Sequence, residues 1–203
     1  MIKYRMTPFH SNRSCRRAAA AAVSLTALLG LSATTTAARN LVYSTAGAHQ
    51  VQRQPRAGTC HAIGAGLYAR PDARCTPGAL SPQVRPATIA TTICRAGWTS
   101  TVRPPESITR SEKRASLLAY SDQLGASAYE YDHVVPLELG GAVNDPRNLW
   151  PEPDYAARAG FYLNPKDRLE RVLNLLVCSG AMSLATAQRM IATDWVLAYR
   201  SYG

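Results

Sequence analysis

The sequence predicts an α+β domain on three observations. Two runs with helical spacing close the chain: Leu169, Val172, Leu173, Leu176 and Val177, then Leu184, Ala187, Met190, Ile191 and Trp195. Ahead of them, residues 129–135 alternate aromatic and acidic side chains before two valines, as a half-buried strand does, and residues 148–150 allow a brief second strand. Between these strands stand strong turn signals, Gly140-Gly141 and Asn144-Asp145-Pro146. Strand, turn-rich loop, short strand and helix, in that order, make a ββα unit.

Each element follows from its own residues. Lys3, Arg5, Arg13, Arg16 and Arg17 precede an uncharged run, and no acid occurs in the first 38 residues. The apolar middle, 18–31, is 14 residues long, too short to cross a bilayer, and small residues end at Thr36-Ala37-Ala38. Residues 1–38 are therefore expected to be a signal peptide cut before Arg39. Export to a secreted or periplasmic location follows, with no stable membrane association once the leader is gone. Ala follows Arg16-Arg17 where a twin-arginine signal has larger apolar residues. Residues 39–74 sustain no period and read as a linker or loosely ordered arm.

The domain proper, 75–203, opens on the turn Cys75-Thr76-Pro77-Gly78. Residues 88–94 are rich in β-branched side chains and are expected to be extended; after Arg95-Ala96-Gly97, residues 98–102 form a second extended piece closed by Arg103-Pro104-Pro105. Residues 111–120, with Ser111 as a cap and Leu117 and Leu118 as the apolar pair, are expected to be a short helix. Pro136 stops the first strand of the ββα unit, and Pro151 and Pro153 end the second. Pro165 suits the first turn of the next helix, Ser179-Gly180 ends it, and Ser183 can cap the last.

Five of the 23 Lys and Arg lie in the leader, leaving 18 against 13 acids, a net of +5. That surface suits a polyanion, although many exported proteins are equally basic. Cys15 leaves with the leader; Cys60, Cys75, Cys94 and Cys178 remain, with no C-x-x-C pair and only His61 adjacent to one of them, which speaks against zinc. In an exported chain, four cysteines suggest two disulfides with three possible connectivities. Cys60–Cys75 with Cys94–Cys178 is the expectation, one closing a small loop and the other tying a helix end to the region before the motif. The other pairings stay open.

The chemistry is concentrated in residues 129–153. Asp132-His133 is followed 15 residues after the histidine by Asn148. Phosphodiester cleavage needs an activated water, a sink for the charge of the pentavalent transition state and help for the leaving oxygen. A neutral imidazole is the usual base near neutral pH, and one hard cation held by carboxylates and water supplies the rest. Asn148 does not titrate; its amide suits hydrogen bonds that hold the loop and so orient the imidazole. Trp150 and Trp195 read as core, and Glu138 and Glu152 as loop-stabilising acids.

Asp-His, Pro, Gly-Gly and Asn-Leu in this order resemble the HNH endonuclease superfamily in its D-H…N variety. The longer string Leu-Glu-Leu-Gly-Gly, Asn-Leu-Trp-Pro-Glu-Pro, then Lys166-Asp167-Arg168-Leu169-Glu170 and Cys178, is similar to a group of small exported bacterial HNH-like proteins; the likeness covers about residues 75–202. The resemblance implies a ββα-metal finger in a disulfide-stapled domain with C-terminal helices, His133 as general base, Asp132 as metal ligand and Asn148 as the orienting residue. The second histidine of the family name is missing, since His133 is the last histidine of the chain. Asp167 is the first candidate for that ligand and Glu170 the alternative, although helix-dipole placement and pairing with Lys166 would explain both acids equally well. Carboxylate ligands point to one magnesium or manganese ion over zinc. Arg147, Lys166 and Arg168 are candidates for phosphate contact. The expectation is a metal-dependent endonuclease acting on DNA, with RNA as a further substrate, without sequence preference. The rival is an exported binding module of the same fold without turnover.

Overall fold

In the computed structural model, which describes residues 39–122, 124–154 and 164–203, two two-stranded sheets are set among helices. The expected signal peptide, 1–38, lies outside the described residues. In chain order the regular elements are β1 (Val42–Tyr43), β2 (Ala79–Leu80), α1 (Trp98–Val102), α2 (Glu106–Ala119), β3 (Tyr129–His133), β4 (Leu149–Pro153), α3 (Pro165–Cys178) and α4 (Leu184–Tyr202). The protein is α+β and carries two disulfides, Cys60–Cys75 and Cys94–Cys178. This is the expected pairing.

The antiparallel pair β3–β4 is the frame of the site. Its register sets His133 opposite Leu149, Tyr131 opposite Pro151 and Tyr129 opposite Pro153. Prolines were expected to end β4, yet the strand runs through both of them. Val134 N donates to Asn148 O at 2.8 Å, so the even-numbered residues of β3 form the hydrogen-bonded pairs. Pro151 and Pro153 occupy the other pairs, where an N–H would face away from β3, and no ladder bond is lost.

Helices α3 and α4 follow the sequence pattern closely. The Asn164 side chain accepts from Lys166 N, Pro165 fills the first position of α3, and Gly180 just beyond it adopts φ 78°. Leu169, Leu173 and Val177 turn inward against Leu184, Ala187, Ile191 and Trp195 of α4. Ser183 caps α4 by accepting from Thr186 N. Trp150 and Trp195 are both buried core residues, as expected. Asp194 interrupts the helical geometry of α4 and pairs with Arg70.

Two expectations give way upstream. The β-branched run forms a 3-10 helix, Pro86–Thr91, rather than an extended segment. Its threonine hydroxyls bond nearby carbonyls, Thr88 Oγ1 to Gln83 O (2.8 Å) and Thr92 Oγ1 to Thr88 O (2.7 Å), and these local bonds outweigh β propensity. Residues 98–102 are helical, with Ser100 and Thr101 bonding carbonyls three residues back and Gly97 in the left-handed region at the N-cap. Helix α2 begins at Glu106, five residues before the expected start, directly after Pro105.

The expected linker or loosely ordered arm, 39–74, is pinned to the rest of the fold. Strand β1 pairs in parallel with β2, which in turn bridges to Gly141 in the β3–β4 loop. Cys60 N donates to Ala119 O, and Asn144 Nδ2 donates to Gln50 O at 2.9 Å and to Glu112 Oε1 at 3.2 Å. These partners are distant in sequence, so no local period announces them.

Candidate functional site

His133 ends β3 and is almost fully buried. Its Nε2 lies 3.0 Å from the carbonyl oxygen of Val143, across the loop. A carbonyl can only accept, so Nε2 carries the hydrogen and the lone pair is on Nδ1. Burial pushes the imidazole down to about 4, helped by the charges of Arg103 and Lys166, against the opposing pull of Asp132 and the Val143 bond. The ring is thus neutral at neutral pH.

Asn148 organises the loop that carries Val143. Its Nδ2 donates to the carbonyls of Val135 and Ala142, both at 3.0 Å, and its Oδ1 accepts from Val135 N (2.9 Å) and Ala79 N (3.3 Å). Both amide hydrogens and both lone pairs are used, in a fully buried position. The amide also explains the Gly-Gly turn. A Cβ on Gly141 would collide with the Val135 carbonyl and lie 2.8 Å from Asn148 Nδ2, and Gly140 has φ +75° with Val84 packed against it.

Asp132, the neighbour of His133, is held by Lys166. The lysine is 1 % exposed. Its Nζ also donates to His133 O at 2.8 Å and to Glu170 Oε1 at 2.6 Å, and lies 3.5 Å from Glu152 Oε2. Glu152 accepts a further bond from Asn164 Nδ2 at 2.8 Å. One buried ammonium therefore joins β3, β4 and α3. Burial opposes its charge, but Asp132, Glu152 and Glu170 together raise it well above the ordinary lysine value. Burial likewise opposes ionisation of Asp132, yet Lys166 holds it below the usual carboxylate range. Glu152 and Glu170 are raised well above that range by burial.

Asp132, His133, Asp167, Arg168 and Glu170 line a common cleft of about 510 Å³. The two other expected contacts lie elsewhere. Lys166 points its ammonium into the protein, and Arg147 binds Asp145 at 2.6 Å, away from the lining. Asp167 has no hydrogen-bond or ion-pair partner among the described residues, whereas Glu170 is engaged by Lys166. Burial raises Asp167 to about 6, with Asp132 adding to it. Glu130 reaches the surface, but the protein packed around it and the charges of Asp132 and Asp167 raise it to about 7. The carboxylates on this wall therefore repel one another, an imbalance that a hard cation relieves.

Among the described residues no set of three His, Cys, Asp or Glu is gathered closely enough to cage a metal by itself. Among these residues Asp167 stands without a partner, whereas Lys166 takes Asp132 as well as Glu170, so an ion held here would keep most of its water and take one or two carboxylates. Three charged cleft residues were not singled out in the sequence as site residues: Glu130, Arg103 and Arg171. Arg171 lies one turn beyond Asp167 on α3, so helical spacing could have found it; Arg103, set between α1 and two prolines, carries no such signal. No family model, curated protein or solved structure matches this chain.

Proposed function

We propose that the protein is an exported endonuclease of the HNH type that hydrolyses phosphodiester bonds of DNA, and of RNA, with little sequence specificity. The observation that carries this reading is the His133–Val143 hydrogen bond, which leaves the neutral imidazole its lone pair on Nδ1, on a residue that lines one cleft with Asp132, Arg103, Arg168 and Arg171. The order of β3, the looped connection, β4 and α3 supports a ββα-metal finger.

In this reading Arg103, Arg168 and Arg171 receive the phosphate oxygens. His133 Nδ1 takes a proton from water as the water oxygen bonds to phosphorus; the bond from phosphorus to the leaving sugar oxygen breaks, and that oxygen takes a proton from solvent. Asp132 and Asp167, together with water, would hold a magnesium or manganese ion, which would supply the charge sink at the phosphate. Asn148 acts through the loop, keeping the Val143 carbonyl where it fixes the imidazole. Two disulfides agree with an oxidising compartment, secreted or periplasmic.

A second reading is favoured by one observation: Lys166 already neutralises Asp132, as suits a unit of this fold that binds without turnover. Plasmid degradation by the purified mature chain with magnesium, manganese or EDTA separates the two. The nuclease nicks plasmid with metal, stops in EDTA, and loses roughly 100-fold or more in His133→Ala. No cleavage under any metal leaves the binding module.

A further inference from the structure

A second hollow, of about 360 Å³, adjoins the catalytic cleft. Two features make them neighbours. Val143, whose carbonyl holds His133, lines the hollow with its own residue, and α1 passes from the hollow at Thr101 and Val102 directly into the cleft at Arg103. The chemistry of the two differs sharply. The cleft is walled by arginines and carboxylates, whereas among the described residues the hollow has no carboxylate, ammonium or guanidinium in its lining.

What the hollow offers is neutral hydrogen bonding over methyl groups. Thr45, His49 and Gln83 have no side-chain hydrogen bond among the described residues, and Ala46, Ala48 and Ala142 supply apolar surface. A positive charge returns just beyond. Arg85 is anchored by its Nε on Pro82 O at 3.2 Å, and its guanidinium lies 3.7 Å from the centroid of the Tyr43 ring. Pro82 is itself part of the lining, and Tyr43 directly precedes the lining residue Ser44. The sequence of environments is cation, neutral hollow, cation.

Such an alternation matches a nucleic-acid strand, in which each uncharged nucleoside stands between two phosphates. We propose that the hollow seats the nucleoside next to the scissile phosphate, with Arg103 serving that phosphate and Arg85 the following one. The assignment rests on the nuclease reading above and adds a substrate class to it. A base placed in the hollow is out of its stack, which favours single-stranded nucleic acid.

The test compares two phosphodiesters on the mature, disulfide-bonded chain with manganese: a short single-stranded oligonucleotide, and bis(p-nitrophenyl) phosphate, which has no nucleoside. Ala48→Trp fills the hollow, and the pair His49→Ala with Gln83→Ala strips its hydrogen-bonding groups without adding bulk. The expected result is a KM for the oligonucleotide raised about tenfold in both variants, with kcat/KM on the small diester within about twofold of wild type. The wild-type KM is also expected to be lower for the single strand than for its matched duplex. An unchanged oligonucleotide KM in the stripped variant, an equal loss on both substrates in that variant, or a duplex bound as tightly as the single strand overturns the proposal. If the wild type cleaves neither substrate, the nuclease reading falls, and the hollow is judged by titrating the same oligonucleotide against the 15N-labelled chain. Amide shifts at Thr45, His49 and Gln83 then sustain the hollow as a nucleoside site, and their absence removes it.

Discussion

Asn148 makes four hydrogen bonds with one small side chain, and none of its partners has water to turn to. Asn148→Ala is expected to lower stability by about 3 kcal/mol or more, because several buried backbone groups lose their partner together. Asn148→Asp keeps the shape but sets a carboxylate oxygen against the carbonyls of Val135 and Ala142, so it is expected to be no better than alanine. Urea titration of both variants checks this, and an aspartate variant near wild-type stability would contradict the donor assignment. Asn148 was legible in the sequence because an amide at that distance from Asp-His has a job only an amide does. Lys166 was not. A lysine next to Asp167 and Arg168 reads as a phosphate contact, and beyond its i,i+4 pairing with Glu170 only the three-dimensional approach of Asp132 and Glu152 turns it inward.

At the scale of elements, the hairpin and α3 meet through that lysine rather than through apolar contact alone. Lys166→Met removes the shared cation and leaves Asp132 as an uncompensated buried charge, an expected cost of about 3 to 5 kcal/mol by thermal or urea unfolding. A variant as stable as wild type would mean that the carboxylates are already neutral and the network is dispensable. The elements themselves were unevenly readable. Helices α3 and α4 have long apolar stripes and their own caps, so pattern and structure agree to within a residue or two. The segments 88–94 and 98–102 are too short for a period to accumulate, and side-chain hydroxyls bonded to nearby carbonyls decide them instead. Glu130 reaches the cleft from a strand that the sequence identified, but which face it occupies depended on docking, whereas Arg171 follows Asp167 at helical spacing.

The whole molecule relies on cross-links that bring distant stretches together. Cys94–Cys178 spans 84 residues and Cys60–Cys75 spans 15. Loop-closure entropy predicts that replacing the longer pair by serine costs about 4 to 5 kcal/mol and the shorter about 3 kcal/mol, an order that denaturant midpoints of the two double variants check. The shorter loop also contains Asp72, whose carboxylate takes Arg74 and the backbone N–H of His61, and these bonds, chiefly with the Arg74 side chain, hold it at about 2. A carboxyl depressed on folding stabilises above its ordinary value and loses that contribution as acid is added. Arg74 is largely exposed, so solvent screens the pair, and the fold is expected to give up about 1 kcal/mol between about pH 4 and 2 through this group. Asp72→Asn should flatten that part of the acid titration, and an unaltered slope would locate acid sensitivity elsewhere. The prolines of β4 act at this scale too. Of the three residues whose N–H would point outward from the hairpin, Leu149, Pro151 and Pro153, two have no hydrogen to offer. A foreign strand arriving on that side finds almost nothing to accept from, so the β4 edge of the pair remains closed to recruitment, and copies of the protein are denied that route to stacking into fibres.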